Sequence, residues 1–174
     1  KDGEGDNAQF TIVGNNLRLR SPLDFETKET ADVVVESSDG TTVIEETFEI
    51  TITDTNDAPT DIALSGTLAN ENAADGTTVG GLSTSDTDAS DTHTFELVSG
   101  VEDNNAFRIE GSDLKVNAAF DFETKSTYTL SIKVDDGTDT FTKSMDITIL
   151  DSNDQPSDIS ISNTQIEENS VSGT

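Results

Sequence analysis

A five-residue string occurs twice in this chain. Asp24-Phe25-Glu26-Thr27-Lys28 returns letter for letter as Asp121-Phe122-Glu123-Thr124-Lys125, 97 residues later. Asp54-Thr55-Asn56-Asp57-Ala58-Pro59 returns at the same offset as Asp151-Ser152-Asn153-Asp154-Gln155-Pro156. Phe10 with Phe107, Asp39-Gly40 with Asp136-Gly137, and Glu71-Asn72 with Glu168-Asn169 keep that register without a gap. Self-similarity at a fixed period is the signature of a repeat architecture. The register sets boundaries: residues 58–154 form one complete unit, 1–57 the later part of a preceding unit, and 155–174 the opening of a following one.

Within a unit the apolar residues alternate with polar ones. Leu130, Ile132 and Val134 interleave with Ser131, Lys133 and Asp135. Met145, Ile147 and Ile149 do so with Asp146 and Thr148, and Phe48, Ile50 and Ile52 repeat the pattern earlier. Period two predicts half-buried strands. Gly111-Ser112 and Asp136-Gly137 supply turns between them. Seven strands are expected in the complete unit, at about 60–66, 77–85, 93–98, 106–110, 113–117, 127–135 and 140–150. No stretch has a helical period. The fold class is therefore all-β: antiparallel Greek-key sandwiches in tandem. Residues 1–57 would carry only the last four strands of their unit. Such a unit leaves open edges, which invites either a preceding segment or head-to-tail strand exchange with a like molecule.

Charge narrows the function. The chain has 36 acidic and 9 basic residues, for a net charge of −27. Nucleic acid and anionic membrane surfaces repel such a chain. No run is apolar enough to span a membrane, and the opening Lys1-Asp2-Gly3-Glu4 is not a signal peptide. There is no cysteine, so no disulfide staples the fold. The repeated acids lie at turns and unit junctions rather than in the alternating strands. Hard divalent cations need such gatherings, because Ca²⁺ takes six to eight oxygen ligands.

Rival chemistries fit less well. An EF-hand loop starting at Asp86 would place Asp91 at its sharp-turn glycine and Leu97 at its closing glutamate. A glycosidase carboxylate pair at Asp24/Glu26 or Asp121/Glu123 is disfavoured by its recurrence beside junction acids. No phosphate-binding glycine loop or zinc spacing occurs. His93, the lone histidine, is expected on a strand surface, and Asp103-Asn104-Asn105 in an exposed turn. The phenylalanines and Tyr128 are expected mostly in the core. No catalytic residue is expected.

These motifs, in this order, resemble the cadherin repeat. Asn70-Glu71-Asn72 is similar to its opening Glu motif and Ser85-Asp86-Thr87-Asp88 to its D-x-D motif. Phe120-Asp121-Phe122-Glu123 is similar to L-D-R-E, and Val134-Asp135-Asp136-Gly137 to the A-x-D-G turn. Asp151-Ser152-Asn153-Asp154-Gln155-Pro156 is similar to the D-x-N-D-N-x-P linker. Ala58 and Gln155 replace the usual second linker Asn.

The resemblance implies Ca²⁺ ligands. At the first junction these would be Asp24, Glu26, Asp54, Asn56 and Asp57, joined by Asp86, Asp88 and Asp136, holding up to three ions. Asp136 is preferred to Asp135 because its counterpart Asp39 recurs while that of Asp135 is Ser38. At the second they would be Glu71, Asp121, Glu123, Asp151, Asn153 and Asp154, with the next D-x-D falling beyond Thr174. The implied function is a non-catalytic, calcium-rigidified extracellular module of a surface adhesin. The simple Thr/Asp-rich, cysteine-free repeats are most similar to the bacterial cadherin-like type. Its partners would be neighbouring repeats of the same chain, and like molecules. A carbohydrate-binding module of a bacterial surface or polysaccharide-degrading system is the alternative.

Overall fold

The computed structural model describes residues 3–156, 158–161, 164, 165 and 168. Its elements are almost all strands, as the alternation requires. They are β1 (Phe10–Val13), β2 (Asn16–Leu19), β3 (Thr30–Ser38), β4 (Val43–Thr51), β5 (Asp61–Leu64) and β6 (Leu68–Asn70). Then follow β7 (Thr78–Ser85), β8 (Thr94–Leu97), β9 (Phe107–Glu110), β10 (Asp113–Val116), β11 (Thr127–Asp135) and β12 (Thr140–Leu150). Two short 3-10 turns, Asn7–Gln9 and Glu102–Ala106, precede β1 and β9.

Strands β5–β12 build two four-stranded sheets, ordered β5-β7-β10-β9 and β6-β12-β11-β8. Their facing sides enclose Ile62, Leu82, Phe107, Leu114, Val116, Phe120, Leu130, Ile132, Val134, Ile147 and Ile149. Phe107, Phe120 and Tyr128 form a ring cluster with centroids 5.1–5.8 Å apart. The turns close as glycine dictates. Gly111 (φ +62°) ends β9 and Gly137 (φ +100°) reverses the chain into β12, both in the left-handed region. Gly14 (φ +63°) and Gly40 (φ +91°) do the same 97 residues earlier.

The expected strand at 60–66 is β5, and a further strand that was not expected, β6, follows it. β5 pairs with β7, then the chain crosses at Gly66 and continues as β6, parallel to β12. The crossing brings backbones together: a Cβ at Gly66 would collide with the Val79 carbonyl oxygen, and one at Gly80 would lie 2.6 Å from the Gly66 nitrogen. Close backbone approach of this kind excludes side chains. Alternation alone carries no sign of it, because the two strands continue each other.

Ahead of this sandwich, β1–β2 and β3–β4 are separate antiparallel pairs that enclose a small core of Phe10, Ala31 and Val33. The expectation that the phenylalanines are mostly core fails at Phe48, which is 45% exposed. Two pairs of strands give β4 less to face than its counterpart β12 has. Of the following unit, Ile159 and Ile161 are exposed. The opening strand expected there falls largely outside the described residues. Among the described residues no helix is long and apolar enough to cross a membrane.

Candidate cation sites at the unit junctions

Four pieces of backbone meet around the stretch that joins β4 to β5. One is the turn after β2, where the Lys28 N–H donates to the Asp24 carbonyl oxygen at 3.0 Å. The second is the joining stretch itself, Asp54–Asp57. The third is the loop leaving β7, and the fourth is the β11–β12 turn. Strand ends and turns can aim side chains at one point, whereas strand interiors commit theirs to one sheet face or the other.

Glu26, Asp54 and Asp88 each place a carboxylate oxygen within 4.8 Å of the others, although they come from three different segments. Asp88 is 8% exposed. Its Oδ2 accepts the Asp57 N–H at 2.6 Å, while its Oδ1 is buried without a hydrogen-bond partner. A buried acceptor left unmatched is costly, and this one is free to accept a cation or a water. Beside this group, Asp86, Asp91 and Asp136 form a second one within the same limit. Asn56 bridges toward it, its Nδ2 donating to Asp136 Oδ2 and Asp139 Oδ2 at 3.2 Å each. The Thr87 hydroxyl donates to Asp57 Oδ2 at 3.3 Å.

The titration directions follow from crowding. Glu26 accepts from its own backbone N–H, which favours the ionised form, but burial and the charges of Asp54 and Asp88 outweigh this and push its pKa up. Burial, then the charges of Asp88, Asp86 and Asp136, push Asp91 up. Asp136 is held below the usual range by the N–H groups of Asp139 and Thr138, which donate to its Oδ1 at 2.6 Å each. Like charges brought together in this way disfavour ionisation.

At the second junction Glu71, Asp121 and Glu123 come within 4.8 Å of one another. Glu71 is 3% exposed. It accepts the Phe122 N–H at 2.9 Å on Oε2 and the Ser152 N–H on Oε1, joining the turn after β10 to the stretch that follows β12. Asn72, in the left-handed region at φ +57°, turns the chain immediately after it. Asn153 Nδ2 reaches the Asp154 carbonyl oxygen at 3.1 Å, as Asn56 Nδ2 reaches that of Asp57 at 3.2 Å. Asp151 and Asp154 are exposed and stand outside the group.

Asp24 also stands outside. Its carboxylate accepts the Thr27 hydroxyl at 2.7 Å and the Thr27 N–H at 3.2 Å, and those bonds lower its pKa. Asp121 makes the same bonds with Thr124 yet still joins its group. Asp136 rather than Asp135 faces the cluster; Asp135 instead accepts the Gly137 N–H at 2.8 Å.

Residues 67–151 match the family model described as the cadherin domain. This segment is cadherin-like. Cadherin domains are extracellular adhesion modules with no enzymatic chemistry.

The likeness in solved structures runs further along the chain. Protocadherin gamma-B7 EC3–6, described as a cis-dimer, is 24% identical, with a TM-score of 0.64 over 88% of this chain and 40% of that one. Human protocadherin-24 EC1–2 is 20% identical, with a TM-score of 0.65 over 85% and 79%. The protocadherin gamma-B4 extracellular domain is 27% identical, with a TM-score of 0.63 over 84% and 25%. The chain thus spans well under half of the first and third of these. No curated protein matches the sequence.

Three features of this cadherin-like unit escape the sequence. Asp91 enters the second acidic group because the loop folds back, its N–H donating to the Asp88 carbonyl oxygen at 3.1 Å. His93 is not on a strand surface: it precedes β8, half-buried, with Nε2 2.7 Å from Asp86 Oδ2. Asn104 is not exposed in a turn but 5% exposed in the 3-10 segment. Its amide donates to the carbonyl oxygens of Val98 and Ser131, and its Oδ1 accepts the Ser131 N–H. A repeat-wise reading could have flagged Asn104, since Asn7 lies 97 residues earlier and makes the same two-way bond to Val34.

Proposed function

We propose that the chain is a calcium-clamped adhesion module, in which Ca²⁺ binds at the junctions and makes consecutive cadherin-type units rigid. The observation that carries this reading is Asp88. It is buried, carries an unpartnered oxygen, and sits with Glu26 and Asp54 from the other side of the junction. The carboxylates of Glu26 and Asp54 that join it offer hard oxygen donors, the type Ca²⁺ prefers.

Glu26, Asp54, Asp57 and Asp88 would hold one part of the clamp. Asp86, Asp91 and Asp136, with Asn56 beside them, would hold the other. Glu71, Asp121, Glu123 and the Asp151–Asp154 stretch would form the half of a second clamp that this unit provides. Bound calcium supplies two positive charges and oxygen coordination that the crowded carboxylates cannot give one another. The protein's part is to converge them: the Asp88–Asp57 backbone bond and the Asn56–Asp136 bond already link the two sides.

Units held end to end in this way form a stiff spacer, suited to a surface adhesin of the bacterial kind that presents its own copies or neighbouring repeats to one another. The carbohydrate alternative needs an aromatic stacking face, but Tyr128 packs against Phe107 and Phe120.

The test is a calcium titration by calorimetry, with a melting curve at each point, on the chain and on Asp88→Asn. Saturable binding, a higher melting temperature, and loss of most of both in the variant are expected. An unchanged melting temperature at millimolar calcium would overturn the clamp.

A further inference from the structure

We propose that His93 is a positioning residue for the first junction, holding the Asp86 carboxylate in the orientation that cation binding requires. The inference rests on the calcium reading above and deepens it. Asp86 has a side chain only 4% exposed, and that of His93 is 17% exposed. An ionised carboxylate only accepts, so His93 Nε2 carries the hydrogen in its 2.7 Å contact with Asp86 Oδ2. The other oxygen, Oδ1, accepts the Asp88 N–H at 3.2 Å.

Asp86 is therefore gripped on both oxygens, while Asp88 keeps one with no protein donor at all. A carboxylate has about four acceptor positions. Asp86 must meet an ion with the positions its two donors leave, so the direction in which they hold it decides whether it can. Asp88 has no such restriction at Oδ1.

The anchor for that hold is the sheet. His93 adjoins Thr94, which pairs with Asp135 at the start of the turn carrying Asp136. Through His93, the loop bearing Asp86 and Asp91 is tied to the same frame as Asp136. An imidazole does this from a short, stiff side chain whose ring N–H points in one direction. Groups that orient metal ligands typically matter by about 10–100-fold in metal affinity.

The experiment is calcium calorimetry, with melting curves in EDTA, on the full chain, His93→Phe, His93→Gln, Asp86→Asn and the Asp86→Asn/His93→Phe double variant. His93→Phe should weaken calcium binding by about tenfold or more. His93→Gln keeps an N–H donor and should recover most of that loss. The EDTA melting temperatures should stay together, and His93→Phe should add nothing once Asp86 is Asn.

Wild-type affinity in His93→Phe would overturn the proposal and leave the clamp standing. So would a loss in His93→Gln as large as in His93→Phe, or an EDTA melting temperature that falls in step with affinity. A wild-type chain that takes up no calcium would end both readings together.

Discussion

Leu17 and Leu114 occupy the same place in the repeat, yet Leu17 is 40% exposed and Leu114 fully buried. Leu19 and Val116 differ in the same way, at 52% and 0%. The strands bearing them have the same lengths, hairpin glycines and hairpin partners, although β10 has a second neighbour in β7. Local sequence thus makes the strand and its turn, but burial comes from the opposite sheet. Four strands per sheet surround Leu114; Leu17 belongs to two paired hairpins. Hydrophobic stabilisation scales with area removed from water, so equal letters contribute unequally.

The sharpest way to break this comparison is to truncate both leucines. Leu114→Ala should cost about 2–5 kcal/mol through lost burial and a cavity, whereas Leu17→Ala should stay within about 0.5 kcal/mol. Urea unfolding followed by circular dichroism reads both the complete sandwich and the two hairpins. Equal losses would mean that the two hairpins are as well enclosed as the sandwich.

Calcium should act on both sides of the junction at once. At a hundredfold excess over Kd, a ligand that binds only the folded state stabilises by about 2.7 kcal/mol. That corresponds to a melting shift of roughly 10 °C or more for a unit of about 100 residues. The shift should shrink in Asp54→Asn, on the β4 side, as well as in Asp88→Asn. A loss confined to one side would show that the ion does not bridge.

The buried amide offers a third comparison. Asn104→Ala removes the acceptor of the Ser131 N–H and a donor to the Val98 carbonyl oxygen, while the Ser131 carbonyl oxygen keeps the Val98 N–H, and it should cost about 1–3 kcal/mol. Asn7→Ala removes the equivalent bonds to Val34 at a less buried place and should cost less, as read by circular dichroism in urea.

The smallest effect is acidic. Glu110 is lowered to about 2 by its hydrogen bonds to Lys115 and then Arg108. Its folded pKa lies below the unfolded value of about 4.3, so its contribution is complete above that value and is lost as pH falls toward 2. Its counterpart is Val13, which cannot titrate. Glu110→Gln should therefore flatten the acid limb of the stability curve only slightly, and Val13→Gln not at all.

These contrasts also show what was legible in the sequence. Period two and the turn glycines fix β9 to β12 almost to the residue, because each strand carries its own alternation. The split between β5 and β6 is silent, since it depends on the approach of Gly66 to Val79 and Gly80, which are remote in sequence. At the site, recurring acids mark the right loops, but side-chain direction sorts them. Asp121 joins its group while Asp24, with the same Thr bonds, does not. Asp91 joins without a motif because a loop folds back. His93 looked like surface because its partner, Asp86, lies seven residues away across that loop.

The crossing at Gly66 has a mechanical meaning. It sends the chain on from β5 to lie, as β6, parallel to the last strand, with Leu68, Ala69 and Asn70 opposite Thr148, Ile149 and Leu150. A tug on the two ends of the domain drags β6 and β12 past each other in opposite directions along their length. Their bonds are then loaded side by side, so they must fail together instead of unzipping one at a time. A module strung between two surfaces is pulled in just this direction.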